Sequence, residues 1–191
     1  MSYYEILLYL HIVGATIWLG SAFMLQTLFF RARQTDDTVM TERISSNTQW
    51  LAQRIFIPTS LAVLVLGILL TIEGPWTFGQ LWIVIALVAF GLTFLFGVGV
   101  IEPEGKRLHA AAAAYGANHP KTTGHGDRLD AYMKLDLALL FVVVFDMALK
   151  PTADDVGTLV IGAATLLVGV GYVLRIVRRT AAPELVGSEA V

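Results

Sequence analysis

The sequence predicts an all-α, polytopic membrane helix bundle with five transmembrane helices, the N-terminus outside and the C-terminus cytoplasmic. Three observations carry this. Five long apolar stretches run through a chain of 191 residues that is 56% hydrophobic and 15% charged, with mean hydropathy +0.69. Soluble domains carry roughly 25% charged residues, and the deficit here is what lipid contact requires. Twelve of the thirteen Lys and Arg residues fall in alternate gaps between the apolar stretches. Arg31, Arg33, Arg43 and Arg54 fill the first such gap, Lys106, Arg107, Lys121, Arg128 and Lys134 the second, and Arg175, Arg178 and Arg179 the tail. Only Lys150 is left for the other side. Cytoplasmic loops keep an excess of Lys and Arg, so the three basic segments read as cytoplasmic. The borders are aromatic. Tyr3, Tyr4, Trp76 and Trp82 mark the outer interface, and Trp50, Tyr132 and Tyr172 the inner one, where amphipathic rings are favoured.

A membrane helix needs about 20 mostly apolar residues. The first predicted helix, 4–30, is longer than that and enters from outside. The second, 55–72, carries Pro58 in its first turn, where proline is tolerated. The third covers 80–101. The fourth, 132–149, is the least apolar, with Asp136 and Asp146 inside it. It must still span, because otherwise the Arg175, Arg178 and Arg179 tail would lie outside, against the charge rule. The fifth, 156–176, follows a short link and forms an antiparallel hairpin with the fourth.

Between the spans, 41–54 reads as an amphipathic lead-in to the second helix. The alanine-rich stretch 104–115 reads as a cytoplasmic extension of the third. Residues 116–126, with Pro120 and three glycines, read as a loop. The tail 181–191 is expected to be disordered, and 1–180 to be one transmembrane domain with no room for a separate soluble one. The opening segment lacks a basic n-region and runs past the length of a cleavable signal, so it is expected to remain as a helix. The absence of cysteine excludes disulfides, thiolate metal sites and iron–sulfur clusters. No basic helix or zinc pattern suggests nucleic acid.

Ionisable residues inside a membrane are functional candidates by default. His11, Asp146 and Glu73 are the intramembrane or border polar groups of the outer half. His11, Gly14 and Trp18 share one face of the first helix, and a face with small residues suits a helix contact. His11 and Asp146 are expected at one depth and could carry opposite charges, so they are expected to meet across the first and fourth helices. Neutral imidazole binds haem iron or copper and also carries protons. The rival reading is a packing histidine bonded to a backbone carbonyl. Met147 lies at a compatible depth and offers a thioether, although methionine in an apolar helix is most often packing. Asp146 also has a plain reading, a pair with Lys150 one turn on. His109, His119 and His125 all lie in the cytoplasmic gap. His119 and His125 with Asp127 form a weak metal pattern, and solvent exposure is favoured for them. Glu102, Glu104, Lys106 and Arg107 read as a headgroup anchor. Gly162 and Gly169, with their glycine neighbours, mark close helix packing. No Ser–His–Asp arrangement, His-Glu-x-x-His or phosphate loop is present, so no catalytic residue is assigned.

The segment Leu10-His11-Ile12-Val13-Gly14-Ala15-Thr16-Ile17-Trp18-Leu19-Gly20 resembles the opening helix of an uncharacterised family of predicted bacterial integral membrane proteins. The resemblance extends to Arg54-Ile55-Phe56-Ile57-Pro58, to residues 97–107 and to Asp146-Met147-Ala148-Leu149-Lys150-Pro151. More distantly, the Leu-His…Trp-x-Gly opening is similar to the copper-resistance D membrane proteins and to the membrane-bound protoporphyrinogen oxidases of bacteria, which are haem-associated. In the latter a first-helix histidine is implicated, and His11 is the matching position. The resemblance implies a protein of the bacterial cytoplasmic membrane, with haem as the cofactor.

Three functions follow as expectations. The first is a small haem- or redox-associated membrane protein using His11. The second is a permease for a metal ion or small solute, with His11, Asp146 and Glu73 lining an outer mouth. The third is an accessory subunit whose glycine-rich faces pack against a partner or a second copy. The lipid bilayer is the partner common to all three.

Overall fold

The computed structural model describes residues 2–35, 37, 40, 43–44, 47 and 50–187, with side chains through Thr180. Among these residues the chain is helical, without strands, and five long helices carry nearly all of it: α1 (Tyr3–Gln34), α2 (Ala52–Glu73), α3 (Leu81–Tyr115), α4 (Pro120–Leu149) and α5 (Val156–Gly187). Four of them, α1, α2, α3 and α5 to Thr180, are long and apolar enough to cross a membrane. α4 is long enough, but its apolar half also carries Lys134, Asp136 and Asp146. The exterior is apolar: Leu95, Leu167 and Val168 expose 69%, 72% and 74% of their surface. Such an outside is stable against lipid and costly in water.

α1 begins with a capping box. Glu5 N donates to Ser2 Oγ and Ser2 N donates to Glu5 Oε2, so two orphan donors of the first turn are satisfied. α2 and α3 each contain a proline, Pro58 and Pro103, and neither helix breaks. A proline has no N–H, and its ring crowds the carbonyl four residues back. In both helices a single wide π turn precedes the proline, over Ala52–Phe56 and Gly97–Ile101. Ile57 N donates to Ala52 O and Glu102 N donates to Gly97 O, each five residues back. The widened turn makes room for the ring without ending the helix. Pro58 is therefore inside a continuous helix rather than at its start.

The expected loop over 116–126 is overturned. Only 116–119 leave the helix, with Gly116 at φ 86°. α4 then starts at Pro120, a position where the missing N–H costs nothing. His119 caps it, with Nδ1 accepting from Lys121 N at 3.2 Å, and Thr122 Oγ1 donates back to Gly116 O. Gly124 and Gly126 are helical, and the missing side chain at Gly126 makes room for Arg33 of α1. The expected lead-in over 41–54 lies largely outside the described residues. The α5 backbone is helical to Gly187, and the side chains of the expected tail, 181–191, lie outside those described.

α4 is the centre of the bundle. α1, α3 and α5 pack on it, and α2 packs on α1. α5 runs antiparallel to α4 with a constant register. Gly162 lies against Val142, Gly169 against Leu135, and Gly124 of α4 against Thr180, so equal steps along the two helices keep matching residues opposed. On α3 the stripe Ile83, Ala86, Ala89 and Thr93 is buried, and small side chains there let helices approach closely. One end of the bundle is basic, with a buried apolar cluster of Phe29, Leu108 and Leu129. The other end is aromatic. There Trp76 Nε1 donates to Tyr4 Oη, Trp76 meets Trp82 edge-on at 5.2 Å, and Lys150 Nζ sits 4.7 Å from the Trp76 ring centre. Between α4 and α5, Thr152 donates from N and from Oγ1 to Asp155 Oδ2 at 2.8 Å each. These bonds, the backbone one foremost, hold the Asp155 carboxyl below its ordinary range. They support the turn above the ordinary carboxyl pKa, and that support is lost as pH falls through the lowered one.

A side chain at Gly169 would meet Leu135 Cδ1 at 2.8 Å, whereas one at Gly171 would meet open space. Gly169→Ile is expected to lower stability by about 1–3 kcal/mol through overpacking, and Gly171→Ile to leave it nearly unchanged. Thermal unfolding in detergent measures both, and equal losses would contradict the α4–α5 register.

Candidate functional site

His11, the one histidine within the apolar runs, sits between α1 and α2. His11 Nδ1 lies 3.0 Å from Val63 O. A carbonyl only accepts, so Nδ1 carries the proton and the ring is the Nδ1–H tautomer. Nε2 then keeps its lone pair and has no hydrogen-bond partner among the described residues. Gly67, one turn beyond Val63, makes this approach possible: a Cβ there would stand 3.2 Å from His11 Cε1. Gly14 follows on the same face, and a Cβ on it would stand 2.9 Å from Val63 Cγ2. Trp18 reaches a different helix, with its ring 5.7 Å from Phe90 of α3. The half-buried imidazole is thus fixed in tautomer and direction by a backbone group of the neighbouring helix.

His11 and Asp146 are not hydrogen-bonded partners. His11 is engaged by α2, while both carboxylate oxygens of Asp146, buried on α4 at 3% exposure, have no hydrogen-bond partner among the described residues. The alternative pairing of Asp146 with Lys150 is also overturned. Lys150 caps α4 in the left-handed region, φ 47°, and its ammonium lies over Trp76 and Trp82. Met147, next along α4, is half-buried, and Glu73 is exposed at the end of α2. The three polar residues His11, Asp146 and Glu73 therefore form no joint hydrogen-bonded cluster.

The basic end holds a network that the sequence reading missed. Glu104 of α3 is 3% exposed, so it is no headgroup anchor. Arg107 Nη1 donates to its Oε2 at 3.1 Å, and His125 Nδ1 lies 2.8 Å from its Oε1. Arg128 Nε is a further 3.1 Å from Oε1 as an ion pair. One buried carboxylate thus gathers two guanidinium groups and an imidazole from α3 and α4. His125 is drawn in by this charge and is not the solvent-exposed residue expected. His119 is spent on its cap and stacks on Tyr115 at 4.9 Å. Asp127 pairs with Arg33 of α1, whose guanidinium lies across Gly126. The sequence pattern His119, His125 and Asp127 is therefore divided among three partners. Among the described residues no group of three or more His, Cys, Asp or Glu could hold a metal ion.

Deeper along α4, Asp130 accepts from Gln26 Nε2 of α1 at 2.8 Å and from Lys134 Nζ at 2.6 Å. Lys134 also lies 5.0 Å from the Phe30 ring centre. Beyond it the polar partners run out. Asp136 Oδ1 and Thr93 Oγ1 are buried without hydrogen bonds among the described residues.

Removing one partner of a buried charge network costs about 3–5 kcal/mol, against about 0–1 kcal/mol for an exposed pair. Glu104→Ala is expected to fall in the first range. Glu102→Ala, which loses only the surface pair with Lys106, is expected to fall in the second. Thermal unfolding in detergent of both variants checks the difference, and similar losses would contradict the central role of Glu104.

A comparison with curated proteins gives no match, and neither does one with solved structures. A family model does match, over residues 5–151. That span takes in most of α1 and the whole of α2, α3 and α4, including His11, the Glu104 network and Asp146, while α5 lies beyond it. With apolar helices facing outward around a charged central helix, and with most of its length matched, the chain belongs to the family described as predicted integral membrane protein (DUF2269).

Proposed function

We propose that the chain is a haem- or redox-associated protein of the bacterial cytoplasmic membrane, crossing it five times with the basic end cytoplasmic, and that His11 is its haem ligand. One observation carries the ligand assignment: the Val63 carbonyl accepts a hydrogen bond from His11 Nδ1–H and leaves the Nε2 lone pair uncommitted. Ligating histidines characteristically donate their other ring N–H to such a group, which fixes the tautomer and raises ligand basicity. The free Nε2 fits an imidazole ligand, and Met147 on α4 would be the second donor. Haem bound there would supply one-electron chemistry. The protein's own part is to hold the imidazole in one orientation through Val63, to admit it between α1 and α2 through Gly67, and to keep the site in apolar surroundings.

The crossing of α4 rests on its central place among α1, α3 and α5 and on its antiparallel register with α5. A helix carrying three charges is acceptable in a membrane when neighbours shield it.

Two experiments test the reading. Protein purified from haem-replete cells is expected to show a Soret band that shifts on dithionite reduction, disappears in His11→Ala and persists in His109→Ala. A featureless spectrum at full haem supply overturns the ligand assignment and leaves His11 as a staple between α1 and α2. For topology, the chain has no native cysteine, so a single introduced one reports its side cleanly. Ala153→Cys is expected to react with an impermeant maleimide from outside intact cells, and Ala113→Cys only after lysis. Protection of Ala153→Cys in intact cells would mean that α4 does not cross.

A further inference from the structure

Thr93 departs from the habit of other threonines in the apolar helices. Thr16, Thr27, Thr71 and Thr165 each donate Oγ1 to the carbonyl four residues back on their own helix, at 2.8–2.9 Å. Thr93 is 4% exposed, and its Oγ1 has no hydrogen-bond partner among the described residues. A buried hydroxyl left unpaired is costly, so its use lies outside its own helix.

The register of α3 against the antiparallel α4 fixes what lies opposite. His125 meets Glu104, and the Tyr132 ring meets Phe96 edge-on at 5.8 Å. Eleven residues along each helix from the first pair, and three or four from the second, Thr93 comes level with Asp136. Four residues further, Ala89 and Leu140 are both buried, as facing residues must be. Asp136 Oδ1 is likewise buried and unpartnered among the described residues.

No cation faces this pair. α3 has no titratable side chain between Leu81 and Ile101, α1 has none between Ile12 and Phe30, and α5 has none between Val156 and Gly171. On α4 itself, Tyr132 lies against Phe96, and Lys134 is paired with Asp130 while its ammonium sits over Phe30 and Tyr172. Lys134 is two residues from Asp136, a spacing that points the two apart on a helix. A carboxylate buried without a cation is stable only as the neutral acid, since burying the bare charge costs far more than binding a proton.

We propose that Asp136 is a proton-binding site in the α3–α4 seam, completed by the Thr93 hydroxyl through a water molecule and loaded from the basic end. The step is a simple association: the carboxylate takes one proton from water at that end and becomes the neutral carboxyl, and the reverse returns it. A metal ion is a poorer occupant, because the pair brings a single carboxylate and hard cations take six or more oxygen ligands. Polar groups reach the site from the basic end alone. Asp127 with Arg33, then Asp130 with Gln26 and Lys134, lead along α4 toward Asp136. Gln26 Oε1 is a further buried oxygen without a partner among the described residues, and ordered water satisfies such groups. Toward the aromatic end, residues 137–145 are all apolar. The site uses neither His11 nor Met147, so it stands whether or not haem binds.

Infrared spectroscopy of the full chain in liposomes tests this. At neutral pH the wild type is expected to show the carbonyl stretch of a protonated carboxylic acid, displaced in D2O. One component of that band is expected to disappear in Asp136→Asn, an isostere of the neutral acid, and to survive in Asp146→Asn. Thr93→Val, which keeps the shape and removes the hydroxyl, is expected to move the same component to higher frequency. Gln26→Leu is expected to keep the component and slow its displacement in D2O. A wild type with no such band at neutral pH overturns the proposal without reference to any variant. A band unchanged by Asp136→Asn, a component unmoved by Thr93→Val, or exchange as fast in Gln26→Leu as in the wild type overturns it as well.

Discussion

A helix that carries charge cannot face hydrocarbon, and this constraint organises the molecule. α4 holds Asp127, Arg128, Asp130, Lys134, Asp136 and Asp146 along thirty residues. Three neighbours, α1, α3 and α5, cover it, and the charged side chains Asp127, Arg128, Asp130 and Lys134 of its basic half find partners on them or on α4 itself. Arg33 comes from α1 for Asp127, Gln26 from α1 for Asp130, and Glu104 from α3 for His125 and Arg128. The apolar helices can then be simple, with leucine and valine pointing outward and alanine, glycine or threonine inward. Stability here comes less from an apolar core than from close backbone approach and satisfied polar groups, as expected where lipid is as apolar as the protein.

The fold class was largely legible because its signal is local. Runs of about 20 apolar residues mark α1, α2, α3 and α5 without reference to anything else in the chain. α4 was legible only in its apolar half. Its first two turns, 120–126, read as a loop in the sequence, since Pro120, Gly124 and Gly126 are helix breakers on average. Two facts reversed that average: proline at the first turn needs no donor, and glycine at 126 makes room for Arg33. A sequence read one segment at a time has no access to the second.

The candidate site divides in the same way. His11 stood out as a lone imidazole in an apolar run. Its partner did not, because a backbone carbonyl has no residue signature, and only Gly67 marks the place. Glu104 and His125 are separated by a turn and 21 residues, so their pairing follows from the fold and not from spacing. The Asp146 and Lys150 spacing suggested a helical pair. The left-handed cap at Lys150 breaks the helical geometry on which that rule depends and sends the ammonium to the indoles.

The wide turn before Pro103 has a consequence for the molecule's history. A π turn is an α-helix with one residue inserted, and at 3.6 residues per turn each residue rotates the helix by about 100°. The segment Gly97–Ile101 therefore sets the azimuth of everything after it on α3. Lineages that lost one residue there would turn Glu104 and Leu108 away from α4 together, exposing the carboxylate and the apolar cluster at once. Insertions and deletions in this helix are thus expected to be far rarer in descent than substitutions, even at positions whose own side chains touch nothing.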